Sequence, residues 1–263
     1  MNRQPNDNMC FICGPTNPIG VHVRYTAESD GSALAHFIGR EQHQGYPDRM
    51  HGGIIVGVLA ETIGRAASRP DATLDDGMIC ELRVRYRRPV PLGADLAAVG
   101  HVRDQAAAEL RLPDGELAVE AHVNWMGAAP DGEGSFASGL ARAALPAIVK
   151  KQPNSRMCFV CGVANCVLAR FTPTDQHGND AGHLHLAAIA AVMDEAMGRA
   201  IMIPYGEAIW GVTAELRFRL HRPAPVGEEL VAVGRILNEK SRLFEGSGEL
   251  LLPDGAVAVE GYG

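Results

Sequence analysis

The chain has 263 residues, is 46% hydrophobic and 21% charged, and carries a net charge of −7. That is the composition of a globular, water-soluble protein of one large domain or two ordinary ones. It excludes a membrane span, because runs such as HLAAIAAVM are too short, and it argues against nucleic acid, because no basic cluster exceeds RVRYRRP.

The first ten residues, MNRQPNDNMC, are polar and lack an apolar leader segment, which predicts a cytoplasmic protein. In that setting the six cysteines are reduced thiols or metal ligands. A Cys pair follows in CFICG (10–14), and then a short strand. A loop, QHQGYPDRM, leads to His51, where apolar residues at helical spacing continue to Arg65. LRVRYRRP (82–89) alternates strictly and predicts a strand. Further strands follow, with a hairpin turn at LPDG (112–115).

The same series then recurs. CFVCG (158–162) repeats CFICG, ELRFRLHRPAPVGEELVAVGRI (215–236) repeats ELRVRYRRPVPLGADLAAVGHV (81–102), and LPDGAVAVE (252–260) repeats LPDGELAVE (112–120). A second helix is expected from His185 to Arg199. Residues 126–155, rich in Gly, Ala and Pro, read as a linker between a domain at 1–125 and a domain at 156–263. The second copy is fourteen residues shorter before its helix, so its early strand is expected to be reduced. Each copy predicts one long helix followed by a four-strand antiparallel meander, an α+β arrangement.

CFxCGxxNPxG (Cys10 to Gly20), GYP, HGG, the helix, and the strand ending in RP resemble the hotdog-fold acyl-CoA thioesterases of the phenylacetyl-CoA thioesterase branch. The resemblance covers nearly all of both copies and implies a double hotdog, in which two domains pair with their helices face to face. It also implies an acyl-CoA or acyl-carrier-protein substrate and no cofactor. Fused pairs of this kind often associate further, so a homo-oligomer is implied as well.

Thioester hydrolysis needs a hydrogen-bond donor for the developing oxyanion and a carboxylate that attacks or activates water. A helix N-terminus offers unpaired N–H groups and the positive end of the dipole. His51-Gly52-Gly53 supplies such a start, with Gly52 as the donor and Gly53 beside it. In the family the acid lies nine residues after this His, and nine helical residues rise about 13–14 Å. Donor and acid must therefore come from different helices. Nine after His51 is Ala60; nine after His185 is Asp194. The family often carries Ser or Thr on the next strand, and here Thr213 aligns with Ile79. One set, Gly52, Asp194 and Thr213, keeps every part, while Leu186, Ala60 and Ile79 keep none. The family's polar residue six before the His falls on Gly45, with Gln44 and His43 one and two residues away; Gln44 is the candidate for substrate contact, and GYPDR departs from the more usual GYPG turn.

Other readings stand beside these. His51 and His185 would serve equally as helix caps. Glu61 and Glu195, one position past the acid, are kept in both copies and suit a common structural role, with Glu61 the runner-up acid. Two Cys pairs could assemble a four-thiolate zinc site; similar starts in single-copy relatives look like tight turns, and no metal is assigned. Cys80 and Cys166 read as core or strand residues. Arg49, Arg65, Arg199 and Arg222 could meet coenzyme A phosphates, though Arg65 and Arg199 are equivalent and suit salt bridges. Two other functions fit the fold: a non-catalytic acyl-thioester binder or regulatory module, and a hydratase or dehydratase, whose DxNPxH motif GPTNPIGVH echoes.

Overall fold

The computed structural model describes residues 2–3, 9–67, 79–102, 105–126, 168–179, 181–205, 211–240 and 243–263. The first repeat comprises β1 (Asn2–Arg3), β2 (Arg24–Ala27), β3 (Ala33–Ile38), a small hairpin of β4 (Gln44–Tyr46) and β5 (Arg49–Met50), and helix α1 (Gly52–Ala67). After α1 come β6 (Ile79–Tyr86), β7 (Asp95–Val102), β8 (Ala106–Arg111) and β9 (Leu117–Met126). The second comprises β10 (Leu168–Phe171), α2 (Leu186–Tyr205), β11 (Glu215–Leu220), β12 (Leu230–Lys240), β13 (Leu243–Leu251) and β14 (Val257–Tyr262). The expected linker lies outside the described residues apart from Met126, which ends β9. Cys158, Cys161 and Cys166 also lie outside them.

Twelve of these strands form one antiparallel sheet in the order β1-β2-β3-β7-β8-β9-β6-β11-β14-β13-β12-β10. This corrects the four-strand meander: only β7–β8–β9 run as one, and β6 crosses back to pair with β9. The crossing leaves the other edge of β6 free for β11, so each repeat's open edge is closed by the other. The seam is centred on Arg83 opposite Arg217, and its outer face is neutralised by ion pairs from Arg83 and Arg217 to Glu215 and from Arg219 to Glu81. On the inner face the alternation buries Leu82, Val84, Leu216 and Phe218. β10 pairs with β12 as β3 pairs with β7, and among the described residues no strand stands where β2 stands in the first repeat.

The hairpins form as the sequence predicts. Gly115 and Gly255 take positive φ (86° and 81°), each donating to the carbonyl of the Leu three residues back. In GYPDR, Asp48 takes the left-handed conformation (φ 60°) that glycine would ordinarily fill.

α1 packs on β7 and β8, α2 on β12 and β13, and the helices also lie against each other. Small residues decide how closely. A Cβ on Gly53 would sit 2.1 Å from the Ala191 nitrogen, and one on Gly57 would sit 2.2 Å from the Ala187 Cβ. The helices therefore cross in opposite directions with backbones touching. Each helix also lies on a glycine of the sheet: a Cβ on Gly100 would meet the Thr62 carbonyl oxygen at 2.7 Å, and one on Gly234 the Ala196 oxygen at 1.9 Å. No described helix is long and apolar enough to cross a membrane.

Gly53→Ala should cost about 1–3 kcal/mol or more, because its neighbour is backbone and cannot move aside. Gly198→Ala, on an exposed stretch of α2 with nothing within 4 Å, should instead gain about 0.5–1 kcal/mol. Chemical denaturation of the two variants beside wild type measures both, and equal stability would remove the crossing as a constraint.

Candidate active site

The first turn of α1 is built by His51. Its backbone N–H donates to the His43 carbonyl at 2.8 Å, and its ring Nδ1 accepts the Gly53 N–H at 3.1 Å. Ile54 and Ile55 donate to the His51 carbonyl. His51 is thus the N-cap, and the helix begins one residue after it. Because Nδ1 accepts, Nε2 carries the ring proton. Among the described residues nothing accepts the N–H of Gly52, which stands at the positive end of the helix dipole. The second repeat copies the device: His185 donates to the His177 carbonyl, and its Nδ1 takes the Ala187 N–H at 3.0 Å. α2 runs past Arg199 to Tyr205.

The helix crossing brings the start of α1 to the middle of α2. A Cβ on residue 52 would lie 3.4 Å from Asp194 Oδ2, so the bare side of Gly52 faces that carboxylate directly. Asp194 Oδ1 accepts the Thr213 hydroxyl at 2.8 Å, which orients the carboxylate and leaves Oδ2 toward Gly52. Burial raises the Asp194 carboxyl above its ordinary 3.8, against the pull of His51 and of the Thr213 hydroxyl. Gly52, His51, Asp194 and Thr213 therefore meet.

The other two residues named from sequence have partners of their own. Gly53 is buried against the backbone of α2. Gln44 Oε1 accepts the Asp48 N–H at 3.0 Å and so braces the β4–β5 hairpin. Tyr46 of that hairpin donates to the Gly211 carbonyl, tying it to the segment that carries Thr213.

The counterpart set is apolar. Ala60 is buried, Leu186 is half-buried, and the Ile79 side chain lies outside the described residues. Glu61 belongs to this side of the molecule and is the hub of a network. Its Oε1 takes Arg65 Nη2 at 2.9 Å; its Oε2 lies 3.4 Å from His185 Nε2 and 3.6 Å from Cys10 Sγ. Arg65 also donates to Cys13 Sγ at 3.3 Å. Cys10, Glu61 and His185 have metal-ligating atoms within 4.8 Å of one another. However, the cap on Nδ1 leaves His185 Nε2 protonated, so it donates toward Glu61 rather than offering a lone pair. Burial would raise the Glu61 carboxyl, yet His185, Cys13 and Arg65 hold it down at about 2. Arg199 pairs with Glu195 as Arg65 does with Glu61. Asn17, in the stretch that echoes the hydratase motif, is a structural tie, its amide donating to the Met9 and Gln176 carbonyls at 3.0 and 2.8 Å.

Tyr86 is the group that sequence reasoning missed. Its hydroxyl donates to the Gly52 carbonyl at 2.9 Å and would lie 3.2 Å from a Cβ at residue 52. A signal existed, because Tyr86 aligns with Leu220: this fourth position divides between the repeats as the other three do.

Known proteins share the fold. Residues 181–259 match the thioesterase superfamily family model. A solved hot dog fold protein of unknown function from Alicyclobacillus acidocaldarius superposes with a TM-score of 0.62 at 15% identity, over 90% of this chain and 93% of its own. An acyl-ACP thioesterase from Bacteroides thetaiotaomicron gives 0.55 at 14% identity, over 90% and 98%. A thioesterase superfamily protein, RHA08564, is 28% identical over 44% of this chain and 61% of its own, with a TM-score of 0.40. No curated protein sequence matches. The fold is the hotdog fold.

Two stability measurements follow from the carboxylates. The raised Asp194 favours its protonated form in the fold, so its stabilisation is complete below pH 3.8 and is lost as pH rises through the raised value. Asp194→Asn should therefore be more stable than wild type at pH 7, with the gain vanishing in acid. Glu61 has the opposite sign. Its contribution is present above about pH 4.5 and is lost as pH falls toward 2, so Glu61→Gln should flatten that limb of a stability–pH profile.

Proposed function

We propose that this hotdog-fold protein hydrolyses an acyl-CoA or acyl-carrier-protein thioester at a single site shared by its two repeats. The chain then works as a fused pair of hotdog domains, residues 1–125 and 156–263, joined through 126–155. The observation that carries the reading is Asp194 Oδ2 facing the bare side of Gly52, while the matching positions Ala60 and Leu186 are apolar. The thioesterase family match over residues 181–259, the stretch that contains Asp194 and Thr213, supports the reaction class.

The thioester carbonyl oxygen takes the Gly52 N–H at the positive end of α1. Water attacks the carbonyl carbon and gives a proton to Asp194 Oδ2, and the tetrahedral oxyanion stays on the Gly52 donor. Collapse breaks the C–S bond, and the proton on Asp194 passes to the departing thiolate. Thr213 holds Oδ1 so that Oδ2 meets the water. His51 is a positioning residue that fixes the first turn.

The test is a panel of acyl-CoA thioesters with a thiol-trapping dye. Wild type should release thiol from at least one of them, and Asp194→Asn should lower kcat/KM by about 10²–10⁴-fold. Because Asp194 must be ionised to accept the proton, wild-type activity should fall in acid with a midpoint above 3.8. Equal hydrolysis by Asp194→Asn would sink the reading. Tight acyl-CoA binding without turnover by wild type would favour a binding protein instead.

A further inference from the structure

We propose that the Tyr86 hydroxyl is a second hydrogen-bond donor to the reacting carbonyl, acting beside the Gly52 N–H; this rests on the thioester-hydrolase reading above. Tyr86 ends β6, and its backbone N–H donates to the Ala214 carbonyl at 2.9 Å, one residue from Thr213. The strand seam thus delivers Tyr86 from one repeat and Thr213 from the other to the same end of the site. A Cβ on Gly52 would lie 3.2 Å from Tyr86 Oη, 3.3 Å from its Cζ and 3.4 Å from Asp194 Oδ2. The space left open by that glycine is therefore bordered by a hydroxyl on one side and a carboxylate on the other. A carbonyl reaching for the Gly52 N–H must enter between them.

The hydroxyl has only to rotate to act. In the free protein its O–H is given to the Gly52 carbonyl at 2.9 Å, an oxygen that also lies in the first helical turn and accepts there. Turning about the Cζ–Oη bond moves that proton from the Gly52 oxygen to a substrate oxygen without displacing the ring. Tyr86 donates and keeps its proton; no bond to it forms or breaks. Burial, and then the nearby Asp194 charge, hold the phenol well above its ordinary value, so it remains a donor at neutral pH. The repeat gives independent support. The counterpart of Tyr86 is Leu220, which lies on the side that has Ala60 in place of the carboxylate and Leu186 in place of the glycine. A purely structural hydroxyl, needed to hold a helix start on the sheet, would be wanted in both repeats.

The experiment compares wild type, Tyr86→Phe, Tyr86→Leu and Asp194→Asn on the acyl-CoA panel. Two inert ligands are bound alongside: a ketone analogue with methylene in place of sulfur, and an S-alkyl coenzyme A with no carbonyl. Tyr86→Phe keeps the ring and should unfold at nearly the wild-type temperature. Its kcat should fall about 10²-fold with KM little changed, and it should bind the ketone more weakly while binding the S-alkyl ligand as wild type does. Tyr86→Leu should show the same split. Wild-type turnover in Tyr86→Phe, or an equal loss of affinity for both analogues, overturns the donor role and leaves the Asp194 chemistry standing. Unimpaired hydrolysis by Asp194→Asn, or no hydrolysis by wild type, brings down the hydrolase reading and the donor role together.

Discussion

Two helix backbones touch. Gly53 and Gly57 of α1 lie on Ala191 and Ala187 of α2, leaving no room for another carbon between them. That contact fixes which residues can meet. With Gly53 opposite Ala191, the N-terminus of α1 is set beside Asp194, two turns into α2. The reciprocal contact sets the N-terminus of α2 beside Ala60. A helix start and a carboxylate nine residues further on lie too far apart within one helix to meet. They become neighbours only when two such helices run in opposite directions at close range, and larger side chains at the crossing would separate them.

Because both repeats build the same frame, their differences are chemical rather than architectural. His51 and His185 cap their helices in the same way, through the same ring nitrogen. Arg65 and Arg199 pair with Glu61 and Glu195 one turn earlier. The divergence lies at Gly52/Leu186, Ala60/Asp194, Tyr86/Leu220 and Ile79/Thr213. On one side the Asp194 carboxylate lies where burial opposes its charge. On the other, the carboxylate of Glu61 is held by Arg65, His185 and Cys10. The two acids sit one helical position apart in register, and their surroundings shift their carboxyls in opposite directions.

The repeat made most of this legible. Aligning the chain with itself exposes the asymmetric positions; the spacing of nine residues from the His to an acid is what the resemblance implies, and helix rise then puts such an acid out of reach of its own helix start. Strand alternation predicted which faces of β6 and β11 are buried, because a pleated strand has only two sides. The order of strands was not legible, since alternation says which side is buried and nothing about which neighbour a strand takes; β6 was accordingly misplaced in a meander. Gly53 follows Gly52 in sequence, while its neighbour in space, Ala191, is 138 residues away in the chain. Gln44 stands beside Gly45 in sequence, and its Oε1 braces the hairpin through the Asp48 N–H. Tyr86 escaped notice because its strand pattern already explained it as an inward-facing residue.

The seam between β6 and β11 joins two parts of one continuous polypeptide. In an assembly of separate subunits, such a joint comes apart on dilution, and anything built across it fades as the protein becomes scarce. Here the tether keeps the local concentration of one half near the other constant, however few molecules are present. The approach of Gly52 to Asp194 should therefore persist at any dilution of the protein. The halves also cannot exchange partners, so each divergent residue always meets the same counterpart.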